Sequence, residues 1–124
     1  MNTLEINVLV LAYIGDAIYE NYIRHFLVSK KIANVDSLQS ESIKYVSAKS
    51  QASYLHKLTD KDFFNEDELS VIRRARNYKS SRHPKNCDIV TYKHATALEA
   101  VIGYLDLENK QDRIEEIMNE IIGG

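Results

Sequence analysis

The chain has 124 residues, enough for one domain spanning 1–124 and no more. A hydrophobic fraction of 44% and a charged fraction of 27% exclude a disordered chain, and one proline with four glycines leaves too few turns for a sandwich or barrel. The net charge of −2 excludes a protein coated in positive charge, so any nucleic-acid contact has to come from a local patch.

Asn2 with Glu5 resembles a capping box and predicts a helix running to about Lys30. From Val8 to Tyr19 nearly every face is apolar, so this segment is expected to be central and largely buried. The same run has 12 residues and contains Asp16, whereas a membrane-spanning helix needs ~20 apolar residues. Asp36 predicts the cap of a second helical region reaching about Leu58, with a break near Ser47. Asn65 with Glu68 is a further capping-box pattern, opening a helix through Leu69, Ile72 and Ala75. Asn77 to Val90 loses the pattern and reads as a loop. Thr91 then starts a helix carrying Ala95, Leu98, Val101, Ile102 and Leu105, and a last helix covers Asn109 to Ile122. The predicted architecture is all-α, with five or six helices around one core.

Several chemistries are excluded. Cys87 is the single cysteine, which rules out an intramolecular disulfide and a multi-cysteine zinc site. His25, His56, His83 and His94 have no i,i+4 pairing, so a helical two-histidine metal site is not expected. The start, Met1 to Glu5, lacks the basic region of a signal peptide, and a cytoplasmic protein is expected.

Two acids stand out because each interrupts an apolar helix beside a glycine. Asp16 follows Gly15 in Leu11-Ala12-Tyr13-Ile14-Gly15-Asp16-Ala17, and Glu99 precedes Gly103 in Ala97-Leu98-Glu99-Ala100-Val101-Ile102-Gly103. A carboxylate buried without a partner costs several kcal/mol, so each needs an arginine, hydrogen-bond donors or a metal ion. A pair of such acids suits Mg²⁺, which takes oxygen ligands and keeps several waters.

Charge is concentrated too. Val71 to His94 holds seven Lys or Arg against one acid, a local +6 that leaves −8 on the remainder. Arg73, Arg74, Arg76, Lys79, Arg82 and Lys85 are the candidate phosphate contacts. Arg73 and Arg76 share a helix face, whereas Arg74 points elsewhere. Most of the eight tyrosines, Tyr13, Tyr19, Tyr22 and Tyr104 among them, are expected to pack in the core.

The Gly15-Asp16-Ala17 helix and the Glu99-containing helix resemble the two acidic signatures of the ribonuclease III family. Val46-Ser47-Ala48-Lys49-Ser50-Gln51-Ala52, Arg73-Arg74-Ala75-Arg76-Asn77 and Pro84-Lys85-Asn86-Cys87-Asp88 are similar to its Mini-ribonuclease III branch. The resemblance implies an all-helical homodimeric endoribonuclease that cuts double-stranded RNA with Mg²⁺, leaving 5′-phosphate and 3′-hydroxyl ends. It assigns Asp16 and Glu99 as catalytic and metal-holding residues and a 23S ribosomal RNA precursor as substrate, with a ribosomal protein as a candidate helper. It also implies a catalytic domain without the separate double-stranded-RNA-binding domain. Two positions depart from the wider family, since Ala12 and Thr96 stand where it carries further acids, which leaves half the usual carboxylates. Glu20, one turn beyond Asp16, is a candidate outer contact, and Ser47, Lys49 and Gln51 are candidates for facing RNA or a partner subunit. The rival reading is a non-catalytic helical RNA-binding or ribosome-associated module that retains the fold.

Overall fold

The computed structural model describes residues 2–32, 34–79 and 84–123. Six α-helices follow a single 3-10 turn at Thr3–Glu5: α1 Val8–Ser29, α2 Val35–Val46, α3 Ala48–Asp60, α4 Glu66–Arg76, α5 Ile89–Leu107 and α6 Gln111–Gly123. No strand occurs among the described residues, as the composition requires. No helix is long and apolar enough to cross a membrane.

Local chemistry sets the helix ends. The first helix begins at Val8 and not near Asn2, because the Asn7 side chain accepts from Leu9 N at 2.8 Å and caps it there. Asn2 caps only the 3-10 turn. Asn34, not Asp36, caps α2, and Ser47 both ends α2 and caps α3, which is the expected break. Both halves of the Asn65–Glu68 capping box form, each at 2.9 Å. Asp88 caps α5 by accepting from Thr91 N, so the helix starts at Ile89, two residues before the expected Thr91. Asp62 and Asn109 take left-handed φ values of 52° and 58°, and bonds from Phe63 N to Leu58 O and from Lys110 N to Leu105 O close the ends of α3 and α5.

Helix α5 is the hub, packing against α1, α3, α4, α6 and the 3-10 turn. Every residue from Ala95 to Leu105 is buried except Glu99. Its closest neighbour is α1. A Cβ added at Gly15 falls 1.7 Å from the Glu99 carbonyl oxygen, and one added at Gly103 falls 1.9 Å from the Leu11 carbonyl oxygen. The two backbones therefore touch, and no side chain larger than hydrogen fits at either position.

Polar anchors tie the ends of the bundle. Arg113 of α6 donates to both Glu68 carboxylate oxygens at 2.8 and 2.9 Å, donates to the Phe63 carbonyl and lies over the Phe63 ring. Glu68 is fully buried and also serves the α4 capping box, so one carboxylate fixes both helices. Arg74 donates to the carbonyls of Leu4 and Ile6 at 2.6 and 2.7 Å, holding the amino-terminal turn against α4.

The expectation that α1 is buried all round is corrected. Val8, Leu11, Tyr19, Ile23 and Leu27 are buried, but Leu9 and Val10 are 40% and 50% exposed and Tyr13 is 82% exposed. The remaining helices cover one side of α1, and nothing among the described residues covers the other.

Gly103→Ala is expected to destabilise the fold by roughly 3 kcal/mol or more, at or beyond the upper end for an added core methyl, because the obstacle is backbone. Gly123→Ala meets nothing within 4 Å and is the neutral control. Thermal unfolding followed by circular dichroism checks both.

Candidate active site

The backbone contact between α1 and α5 carries two acids with it. Asp16 adjoins Gly15, and the Glu99 carbonyl is the group that Gly15 accommodates. Their carboxyl groups lie close enough for Asp16 to push up the Glu99 carboxyl, although 83 residues separate them in sequence. Asp16 is exposed, which corrects the expectation of a buried carboxylate, because the solvent edge of the crossing falls at its side chain. Glu99 is half-buried.

Electrostatics mark this pair. Burial first, then the adjacent Asp16, push the Glu99 carboxyl from the ordinary 4.5 up to about 9, and Glu20 adds a smaller push in the same direction. The nearby Gln51 amide acts the other way by favouring the charged form. Among the described residues, no lysine or arginine pairs with Asp16 or Glu99, and Glu20 faces Arg24 at 3.8 Å. No cluster of three or more His, Cys, Asp or Glu suited to a metal occurs among the described residues. Among the described residues, the acid pair therefore has no cation to balance the charge it carries when ionised.

The floor beside Glu99 is built on the carboxyl end of α2. Helices leave their last carbonyls unpaired. Here Tyr54 Oη donates to Lys44 O at 3.5 Å, Tyr19 Oη to Tyr45 O at 2.7 Å and Gln51 Nε2 to Val46 O at 3.2 Å. Tyr19 is buried, and its phenol is pushed up by that burial and then by the nearby Tyr54 and Glu99. Gln51, a candidate for facing RNA or a partner, is instead only 3% exposed. Ser47 caps α3, while Lys49 is exposed. Ala12 and Thr96 are both buried, so neither the small side chain nor the hydroxyl extends the acidic surface.

The basic candidates divide. Arg73, Arg76, Lys79 and Lys85 are exposed, as phosphate contacts must be. Arg74 is committed to the Leu4 and Ile6 carbonyls and is a structural clamp. Arg82 lies outside the described residues. A histidine pair across two helices escaped the sequence reading, since His94 Nδ1 and His56 Nε2 are 3.0 Å apart. The i,i+4 rule sees only pairs within one helix. Burial, His56 and Arg76 together hold His94 below its ordinary value. Tyr13 is on the surface and not in the core, whereas Tyr19 and Tyr104 are buried as expected.

Comparison with known proteins places this arrangement. The model of the ribonuclease III domain matches residues 9–110. The chain is 44% identical over 117 residues to Mini-ribonuclease 3 of Staphylococcus aureus, covering 94% of this chain and 87% of that one. It is 46% identical over 114 residues to Mini-ribonuclease 3 of Brevibacillus brevis, covering 92% and 84%. A crystal structure of a Fusobacterium nucleatum protein superimposes with a TM-score of 0.87 at 33% identity, over 97% of this chain and 96% of that one.

The raised Glu99 value has a consequence for stability. Between pH 4.5 and about 9 the folded protein keeps a proton on Glu99 that the unfolded chain has released, so stability falls as pH rises through that window. Glu99→Gln removes this decline. In metal-free buffer at pH 8 the variant is expected to melt above the unsubstituted protein by about 4 °C or more, and at pH 4 the two are expected to melt together.

Proposed function

The chain belongs to the ribonuclease III family, and from that premise we propose that it is a Mg²⁺-dependent endoribonuclease of double-stranded RNA whose Asp16 and Glu99 hold the cation. The observation that carries this reading is the acid pair itself, two carboxyl groups brought close at a helix crossing with no basic side chain paired to them among the described residues. Oxygen donors, adjacent negative charge and an exposed Asp16 fit a hard divalent cation. Asp16 and Glu99 would hold the ion, which would supply an activated water and charge stabilisation at the leaving oxygen.

The chain's own residues supply position. The Gly15–Gly103 contact fixes the backbone under both carboxylates, so neither depends on a mobile loop. Exposed Arg73, Arg76, Lys79 and Lys85 meet backbone phosphates, which is how A-form RNA is chiefly gripped, through phosphates and 2′-hydroxyls. Hydrolysis leaves 5′-phosphate and 3′-hydroxyl ends. The similarity to proteins called Mini-ribonuclease 3 supports ribosomal RNA precursor, of the 23S class, as substrate, with a ribosomal protein as a presenting partner.

The uncovered side of α1 supports a homodimer. Leu9, Val10 and Tyr13 expose apolar surface along one helix, and a second copy is the occupant a two-fold arrangement offers, with one site for each strand of a duplex. Tyr13→Glu is expected to sediment as a monomer where the unsubstituted chain sediments as a dimer.

Incubation with duplex RNA, with and without Mg²⁺ and followed by end mapping, tests the activity. Asp16→Asn and Glu99→Gln are each expected to reduce Mg²⁺-dependent cleavage by at least about 100-fold, the scale of losing a group that acts on the transition state. Full activity in either variant overturns the assignment, and absence of cleavage by the unsubstituted protein favours a non-catalytic RNA-binding module.

A further inference from the structure

Gln51 is a buried polar side chain that the proposed chemistry does not use. It is 97% buried on α3, facing α5, the helix to which α3 chiefly docks. Its orientation is set by chemistry, because the group within reach of the Val46 carbonyl at 3.2 Å must be the donor, Nε2. The other end of the amide, Oε1, is buried and has no hydrogen-bond partner. A buried amide oxygen left unpaired costs about 1–3 kcal/mol, and such atoms are rare in native proteins unless a water or an ion meets them. The amide sits on the helix packed against α5 and is close enough to Glu99 for its N–H to lower that carboxyl's value, which places its oxygen, bonded to the same carbon, beside the acid site.

We propose that Gln51 is the third oxygen donor of the acid site, its Oε1 meeting the bound cation or one of the cation's waters. This rests on the reading of Asp16 and Glu99 as the cation site. A neutral amide suits the position physically. It adds an oxygen where a third carboxylate would add charge to a pair that already repels, and Mg²⁺ accepts neutral oxygens alongside one or two carboxylates. It also accounts for two features by one residue, since the same amide that serves the site through its oxygen closes the end of α2 through its nitrogen. The alternative is that Gln51 acts only through its N–H groups, as the cap of α2 and as a donor beside Glu99.

The two roles separate by substitution. Mn²⁺ is titrated into the full-length protein without RNA, and binding is followed by loss of the free-ion electron paramagnetic resonance signal, with circular dichroism confirming that each variant is folded. Gln51→Met conserves length and removes both polar atoms, and is expected to weaken Mn²⁺ binding about tenfold or more, the scale of losing a conserved support of a metal site. Gln51→Leu replaces it if the methionine variant does not fold. Gln51→Glu keeps an oxygen but has no N–H for Val46, and is expected to bind Mn²⁺ at least as tightly as the unsubstituted protein while melting at a lower temperature. A folded Met or Leu variant that binds Mn²⁺ normally overturns the inference, as does a Glu variant as weak as Met. Asp16→Asn separates the premise from the inference. If the unsubstituted protein and Asp16→Asn bind Mn²⁺ alike, the cation site at the acids falls and Gln51 falls with it. If Asp16→Asn alone loses binding, the cation site stands and Gln51 acts only through its N–H groups.

Discussion

The contact of the α1 and α5 backbones at Gly15 and Gly103 is the constraint on which both fold and site depend. Each glycine faces a carbonyl of the other helix at a distance no Cβ tolerates. Helix axes this close draw the neighbouring side chains with them, and the neighbours include one acid on each strand of the crossing. Asp16 and Glu99 are brought together by the geometry of a packing contact, before any ligand contributes. A bulkier crossing would hold the helices at the usual 8–10 Å and leave the carboxylates further apart.

That arrangement works against stability. Ten of the eleven residues from Ala95 to Leu105 are buried, and the exception is Glu99, whose carboxyl is pushed up to about 9 by burial and by Asp16. A sequence selected for stability alone would place an apolar residue there. The fold offsets this elsewhere with fully satisfied polar groups. Glu68 and Arg113 join α4 to α6 through two hydrogen bonds while Glu68 also completes a capping box, and Arg74 closes the amino-terminal turn. Among the described residues, the buried side-chain polar atom left without a partner is Gln51 Oε1, close to the acid pair, which is where a functional site is expected to break a local rule.

What could be read in the sequence follows from the range of each interaction. The Asn65–Glu68 box spans three residues and was visible, as were the break at Ser47 and the Gly-Asp and Glu-to-Gly patterns of the two acidic helices. Asn7 and Asn34 displaced the expected caps because several polar residues compete at each helix start and only the backbone decides among them. Arg74 and Arg113 meet partners 45 to 70 residues away, so their structural work left no periodic signal, and Arg74 read as one more member of a basic cluster. Tyr13 was misplaced for a different reason. Apolar character says that a face avoids water, and it does not say whether the cover comes from the same chain or from another.

Helix α5 connects the basic segment to the acids. Asp88 caps α5 inside the basic stretch, and Glu99 follows eleven residues later, about 16 Å along the helix at ~1.5 Å per residue. Arg76, at the end of α4, is close enough to lower the His94 value, so the cationic surface reaches the start of α5 on a second helix as well. A duplex held by its phosphates on that surface, as the proposed function has it, would lie within one rigid element of the acid pair. The surrounding acidic surface repels the same phosphates, since the remainder of the chain carries −8 against the local +6. Net charge near zero therefore conceals a directional field, and under the proposed function that field would favour RNA on the basic segment over the rest of the chain.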